Sequence, residues 1–100
     1  MFAVENVIAV AVNKEMAEAV KLHGLYQSRE EQYTVVLEEL CEAREELDEV
    51  AKALDSMFDA IRHNDDGRAA GAARAVAEAA ERLACEAVQV AVTARKGFYV

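Results

Sequence analysis

Four residues of this 100-residue sequence carry its clearest chemical potential: Glu39, Glu42, Glu86 and Gln89. Each pair is spaced i, i+3, so on a helix each presents two oxygen donors from neighbouring turns. Three carboxylates and one amide oxygen are hard ligands, the kind that suits Mg²⁺ or Mn²⁺. Like charges at i, i+3 repel, so the grouping is costly without a counterion. Charge runs are more often solvated faces, and that reading holds for Glu38, Glu45, Glu46, Asp48 and Glu49. A matching pair on a second segment sets Glu39 and Glu42 apart from them.

Three predicted helices position these residues, in one all-α domain over residues 1–100. The first runs from about 3 to 23, with Val4, Val7, Ile8, Ala11, Met16 and Val20, and Leu22 as an optional member, forming a loose apolar face. Val7 to Val12 also reads as a short strand, since short apolar runs do not separate the two. Gly24 suits the left-handed position after a helix end. The second runs from 29 to 63 and begins at Ser28, which forms a capping-box pattern with Glu31. Its stripe is Tyr33, Leu37, Leu40, Leu47, Ala51, Leu54, Phe58 and Ile61. Asn64, Asp65, Asp66 and Gly67 then form the strongest turn signal of the chain. The third runs from 68 to 96, with Ala69, Ala73, Val76, Ala80, Leu83, Ala87, Val90 and Ala94 as its stripe. Gly97 ends it, and Phe98 to Val100 is a short tail.

A short turn between two long helices makes an antiparallel hairpin. One register pairs Leu40 with Ala87, Leu47 with Ala80, Leu54 with Ala73 and Phe58 with Ala69, large against small, as the expected core. The same register sets Glu39 and Glu42 at the height of Gln89 and Glu86. At 100° per residue, Glu39 and Glu42 fall about 100° and 160° to one side of their stripe, and Glu86 and Gln89 about 60° and 120° to the same side of theirs. All four thus converge on one surface.

Glu38-Glu39-Leu40-Cys41-Glu42, followed by Glu86-Ala87-Val88-Gln89, resembles the paired motif of the MazG-like all-α nucleoside triphosphate pyrophosphohydrolases. Residues 24–33 and 83–91 resemble a small phage-type branch, and the likeness spans about residues 20–97. The resemblance implies Mg²⁺ held by the four side chains and hydrolysis of a nucleoside triphosphate to monophosphate and pyrophosphate. Gln89 stands where the family has aspartate, and the gap between the motifs is longer than usual there. Glu39 or Glu42 would orient the attacking water, with no choice between them. Among the bases available to balance a triphosphate, Arg82 ranks first because it shares the flank of Glu86; Lys14, Lys21, Arg95 and Lys96 are the others. A solvated salt bridge is the competing role for Arg82.

Other residues favour plainer roles. His23 and His63 lie near helix ends, where a histidine interacts with the helix dipole; neither completes a Glu-x-x-His pair of the di-iron type. Cys41 and Cys85 are expected as reduced, partly buried thiols. Arg44 falls within the apolar stripe, to snorkel outward or pair with a site acid. Tyr26 and Phe98 stack on a base or pack near a helix end.

Composition narrows the classes. The net charge is −8, and nine of the 19 acids lie between Glu30 and Glu49. Phosphates of duplex nucleic acid would be repelled. The apolar run at 7–12 is too short to cross a membrane and lacks a basic leader. Two cysteines do not make a disulfide framework, so the expected setting is the cytoplasm. Of the 54 hydrophobic residues 21 are alanine, which leaves a thin private core. A homodimer or homotetramer completing a helical bundle is therefore expected. The alternative to an enzyme is a helical interaction or dimerisation module without catalysis.

Overall fold

The computed structural model describes the backbone of residues 2–99 and the side chains of residues 3–99. It is all-helical: α1 covers Phe2–His23, α2 Arg29–Arg62 and α3 Asp66–Arg95. Helix α1 is continuous through Val7–Val12, so the strand alternative is set aside. Helix α3 starts two residues earlier than the sequence suggests. Asp65 caps it, its carboxylate accepting from the Arg68 amide at 3.0 Å. Asn64 takes the left-handed turn position, with φ 54°. Ser28 caps α2 by accepting from the Glu31 amide at 3.1 Å; the return bond from Glu31 goes to the amide of Gln27, one residue earlier than in a capping box.

Helices α2 and α3 form the antiparallel hairpin in the expected register. Cross-links at three heights hold it: Gln32 donates to the Ala94 carbonyl, Arg82 to Glu46 and Arg68 to Asp59. The face that packs, however, is not the leucine stripe. Tyr33, Leu37, Leu40, Leu47, Leu54, Phe58 and Ile61 are all exposed. The seam is made by Ala43 and Ala60 of α2 against Ala69 and Ala79 of α3, all buried. Val50, Ala53, Met57, Val76 and Leu83 are half-buried beside them.

The correction has a physical reason. Helix α2 carries two apolar heptads, and periodicity alone does not say which one faces α3. The residues on the seam are smaller, so the backbones approach closely and bury more of their length. The leucine stripe lies about 90° around α2 from that seam. In a helix pair with equivalent flanks it shares its surface with Ala73, Ala80 and Ala87 of α3.

Helix α1 packs on α3 through buried Val12 and half-buried Met16 and Val20. Val4, Val7, Ile8 and Leu22 of its expected apolar face are exposed. Gly24 follows with φ +73°, a left-handed conformation that costs other residues a steric penalty. The expected C-terminal tail is pinned. The Tyr26 amide donates to the Gly97 carbonyl at 3.0 Å, and the Tyr99 amide donates to the Tyr26 carbonyl at 2.9 Å. Tyr26 is fully buried, and its hydroxyl donates to the Thr93 carbonyl at 2.8 Å. Phe98 packs against its ring, 5.8 Å between centroids. Val100 lies outside the described residues.

Candidate functional site

The small seam residues let two helices close enough for acids from both to meet. Glu39 occupies a seam position, one heptad before Glu46, and Glu42 lies one turn further along α2. Glu86 reaches them from α3. Each of the three offers an oxygen, and these oxygens all lie within 4.8 Å of one another. Glu39 and Glu86 are half-buried, while Glu42 is exposed. The sequence prediction that these three converge is met. The rotation of the seam explains why Glu39, expected on a flank, lies in the interface itself.

The electrostatics follow from that placement. Glu39 is held above the usual carboxylate range, first by partial burial and then by the charge and hydrogen bond of Glu42, with Glu86 adding. Glu86 is raised too, by desolvation first and then by its hydrogen bond and charge interaction with Glu42. No basic side chain forms an ion pair with any of the three among the described residues. Glu46 differs: Arg82 Nε meets its Oε2 at 3.0 Å. Arg82, the leading phosphate-binding candidate, is thus engaged in a salt bridge one turn from Glu86.

A cavity of about 460 Å³ opens beside Glu39. Helix α1 lines it with Glu15, Glu18, Ala19, Leu22 and His23, α2 with Glu31, Val35 and Glu39, and α3 with Gln89, Val92 and Thr93; Tyr26 and Lys96 complete it. Gln89 therefore faces the same space as Glu39, with its backbone carbonyl accepting from the Thr93 hydroxyl. Lys96 is buried, its Nζ 4.3 Å from the Tyr26 ring centroid. It supplies positive charge to a space otherwise lined by four glutamates. Lys14, Lys21 and Arg95 are exposed, and none of them lines the cavity.

Sequence reasoning missed Glu15, Glu18 and Glu31 as neighbours of the site. Glu15 and Glu18 repeat the i, i+3 spacing of Glu39 and Glu42, so their pattern was visible. Only the packing of α1 on α3 brings them near. His63 caps α2 at the far end of the hairpin, and its Nδ1 lies 2.8 Å from the Asp59 carbonyl. Cys41 and Cys85 are free and exposed, against the expected partial burial. Arg44 is exposed and forms no ion pair among the described residues. Tyr26 and Phe98 pack on each other. No described helix is long and apolar enough to cross a membrane.

The donor set fits a hard divalent cation: three carboxylate oxygens in reach of one point, beside a cavity that Glu39 and Gln89 both line. A search against protein-family models, curated proteins and solved structures found no match for this chain.

Proposed function

We propose that this protein is a Mg²⁺-dependent nucleoside triphosphate pyrophosphohydrolase, or a diverged relative that retains the cation and nucleotide site. The observation that carries the reading is the trio Glu39, Glu42 and Glu86, with oxygens within 4.8 Å and no basic partner among the described residues, beside a cavity of about 460 Å³. The resemblance of its two motifs to the MazG-like enzymes points to the same chemistry.

Glu39, Glu42 and Glu86 would hold Mg²⁺, or Mn²⁺, and Gln89 adds an amide oxygen. When bound, such an ion supplies charge neutralisation for the phosphates and Lewis-acid activation of the attacking water. The protein's own part is positioning. Glu39 belongs both to the trio and to the cavity lining, so it can link the phosphates to a nucleoside held beyond. Glu39 or Glu42 orients the water. Lys96 offsets phosphate charge within the cavity. Arg82 takes part only by releasing Glu46. Glu39 and Glu86 must give up protons for the cation, so binding strengthens as pH rises.

The reading extends to assembly as a homodimer or homotetramer in the cytoplasm, where reducing conditions keep exposed Cys41 and Cys85 as thiols. A panel of NTPs and dNTPs assayed for pyrophosphate release with Mg²⁺ tests the enzyme. Activity is expected with at least one nucleotide, lost in Glu42→Gln with the helical circular dichroism signal kept. Full activity in that variant would remove the assignment.

A second reading is favoured by the seven large apolar side chains exposed along α2. On that reading the chain is a helical interaction module without catalysis. Pyrophosphate release separates the two.

A further inference from the structure

We infer that the exposed apolar face of the hairpin is where a second copy of this chain docks, with α2 of each copy lying on α3 of the other in a parallel two-fold four-helix bundle. The inference rests on the homo-oligomeric reading above and fixes its face and its pairing.

The sequence of that face is a heptad. Leu40, Leu47, Leu54 and Ile61 recur every seven residues, and the alternate positions hold Leu37, Arg44, Ala51 and Phe58, with Arg44 able to lay its stem along the ridge and carry its charge outward. This is the repeat of a helix that packs along a seam. Leu47 is 52% exposed and Phe58 61%. The neighbouring ridge on α3 repeats at the same interval with alanine: Ala73, Ala80, Ala87. The hairpin thus shows a ridge of large residues beside a ridge of small ones.

Area is sufficient. From Tyr33 to Ile61 the ridge runs about 42 Å, and two helices side by side span about 20 Å. The face is therefore about 800 Å², the share of one partner in an interface of standard size.

Shape and charge choose the occupant and its orientation. A two-fold axis along the hairpin lays the leucine ridge of one copy on the alanine ridge of the other, so knobs meet holes. All four neighbouring helices then run antiparallel. A two-fold axis across the hairpin would set leucine on leucine and α2 on α2. Helix α2 holds eleven acidic and four basic side chains, a net of −7, whereas α3 holds four of each. Packing α2 on α3 avoids bringing the two most acidic helices together. Glu39 lies in the seam, and Glu42 and Gln89 lie beyond it, away from this face, so each copy keeps its own site open.

Light scattering on the full chain gives the test. Wild type is expected at twice the 10.9 kDa chain mass. Leu47→Glu and Ala80→Glu, both at exposed positions, are each expected at the monomer mass with the helical signal unchanged. Leu22→Glu on α1, also exposed, is expected to remain dimeric. A monomeric wild type would overturn both the oligomeric reading and this interface. A dimer untouched by both face variants would overturn the interface alone. For orientation, chains carrying Leu47→Cys are mixed with chains carrying Ala80→Cys, both in a Cys41→Ser, Cys85→Ser background. Mild oxidation is expected to give mainly mixed disulfides between the two chains. Mainly 47-to-47 disulfides would overturn the pairing of α2 on α3.

Discussion

Glu42 is the carboxylate common to both perturbed neighbours: its charge and hydrogen bonding help raise Glu39 and Glu86. Glu42→Gln removes that charge and keeps the shape, and the two residues have nearly equal helix propensity. With the ligand oxygens within 4.8 Å, each like-charge pair costs about 0.9 kcal/mol at the dielectric of water. Two pairs through Glu42 make about 1.7 kcal/mol, which solvent exposure reduces to about 1 kcal/mol. In a domain of this size that corresponds to about 4–8 °C in Tm. In low-salt buffer with a chelator, near neutral pH, the variant is therefore expected to melt higher than wild type. Mg²⁺ reverses the order. Wild type gains about 1.4 kcal/mol at ten times the dissociation constant, and the variant gains little. Scanning calorimetry at fixed protein concentration reads both effects. A variant that melts below wild type in chelator and keeps the full Mg²⁺ response refutes the reasoning.

The same trio predicts a pH dependence. Protonation of Glu39 and Glu86 in the folded state contributes stability that is complete below the ordinary carboxylate range. That contribution is lost as pH rises through their raised values. The cation-free protein should lose stability just above the ordinary range, and the Mg²⁺ response should grow over the same interval; melts across pH with and without Mg²⁺ would contradict this if the response were flat. Gln89→Asp adds a fourth carboxylate where the amide stands, so it is expected to lower Tm in chelator and tighten Mg²⁺ binding in a calorimetric titration. In the seam, Ala60 is fully buried, and Ala60→Leu should cost about 1–3 kcal/mol by overpacking. A urea melt with an unchanged midpoint would show that the seam is looser than described.

Much of the fold was legible because it is written in local signals. Ser28 caps α2 through its own side chain, Gly24 takes the left-handed position, and the turn at 64–67 leaves room only for an antiparallel return, although the Asp65 cap that starts α3 within that turn was not read. The register was legible because large and small residues alternate across it. The inward face was not. Leu40 and Ala43 both belong to good heptads on α2, and hydropathy favours Leu40. Close packing favours Ala43, because a seam of small residues lets backbones approach, and no sequence pattern weighs those terms. The trio survived this rotation because the seam turned toward it: Glu39 now lies in the seam, and Glu42 and Glu86 lie at its edge away from the leucine stripe. The cavity was illegible for another reason. It depends on α1 docking against Val92 and on the tail folding back over Tyr26, both contacts between segments distant in sequence.

The hairpin treats its inward acids in two ways. Glu46 sits at a seam position and is neutralised by Arg82 at 3.0 Å. One heptad toward the cavity, Glu39 occupies the equivalent position and meets two more carboxylates in place of a base. A helix pair selected only for stability would carry an apolar residue there, since buried charge without a partner is costly. The same seam does so at Ala53, Ala60 and Ala79. A cost confined to one height, on both helices, beside the cavity that α1 and Tyr26 close over, is what a site needs if its missing charge arrives from solution. On that argument the thin core and the acidic excess have separate causes. On the proposed reading the first would be a face turned toward a second copy, and the second would in part be a set of ligands turned toward a cation.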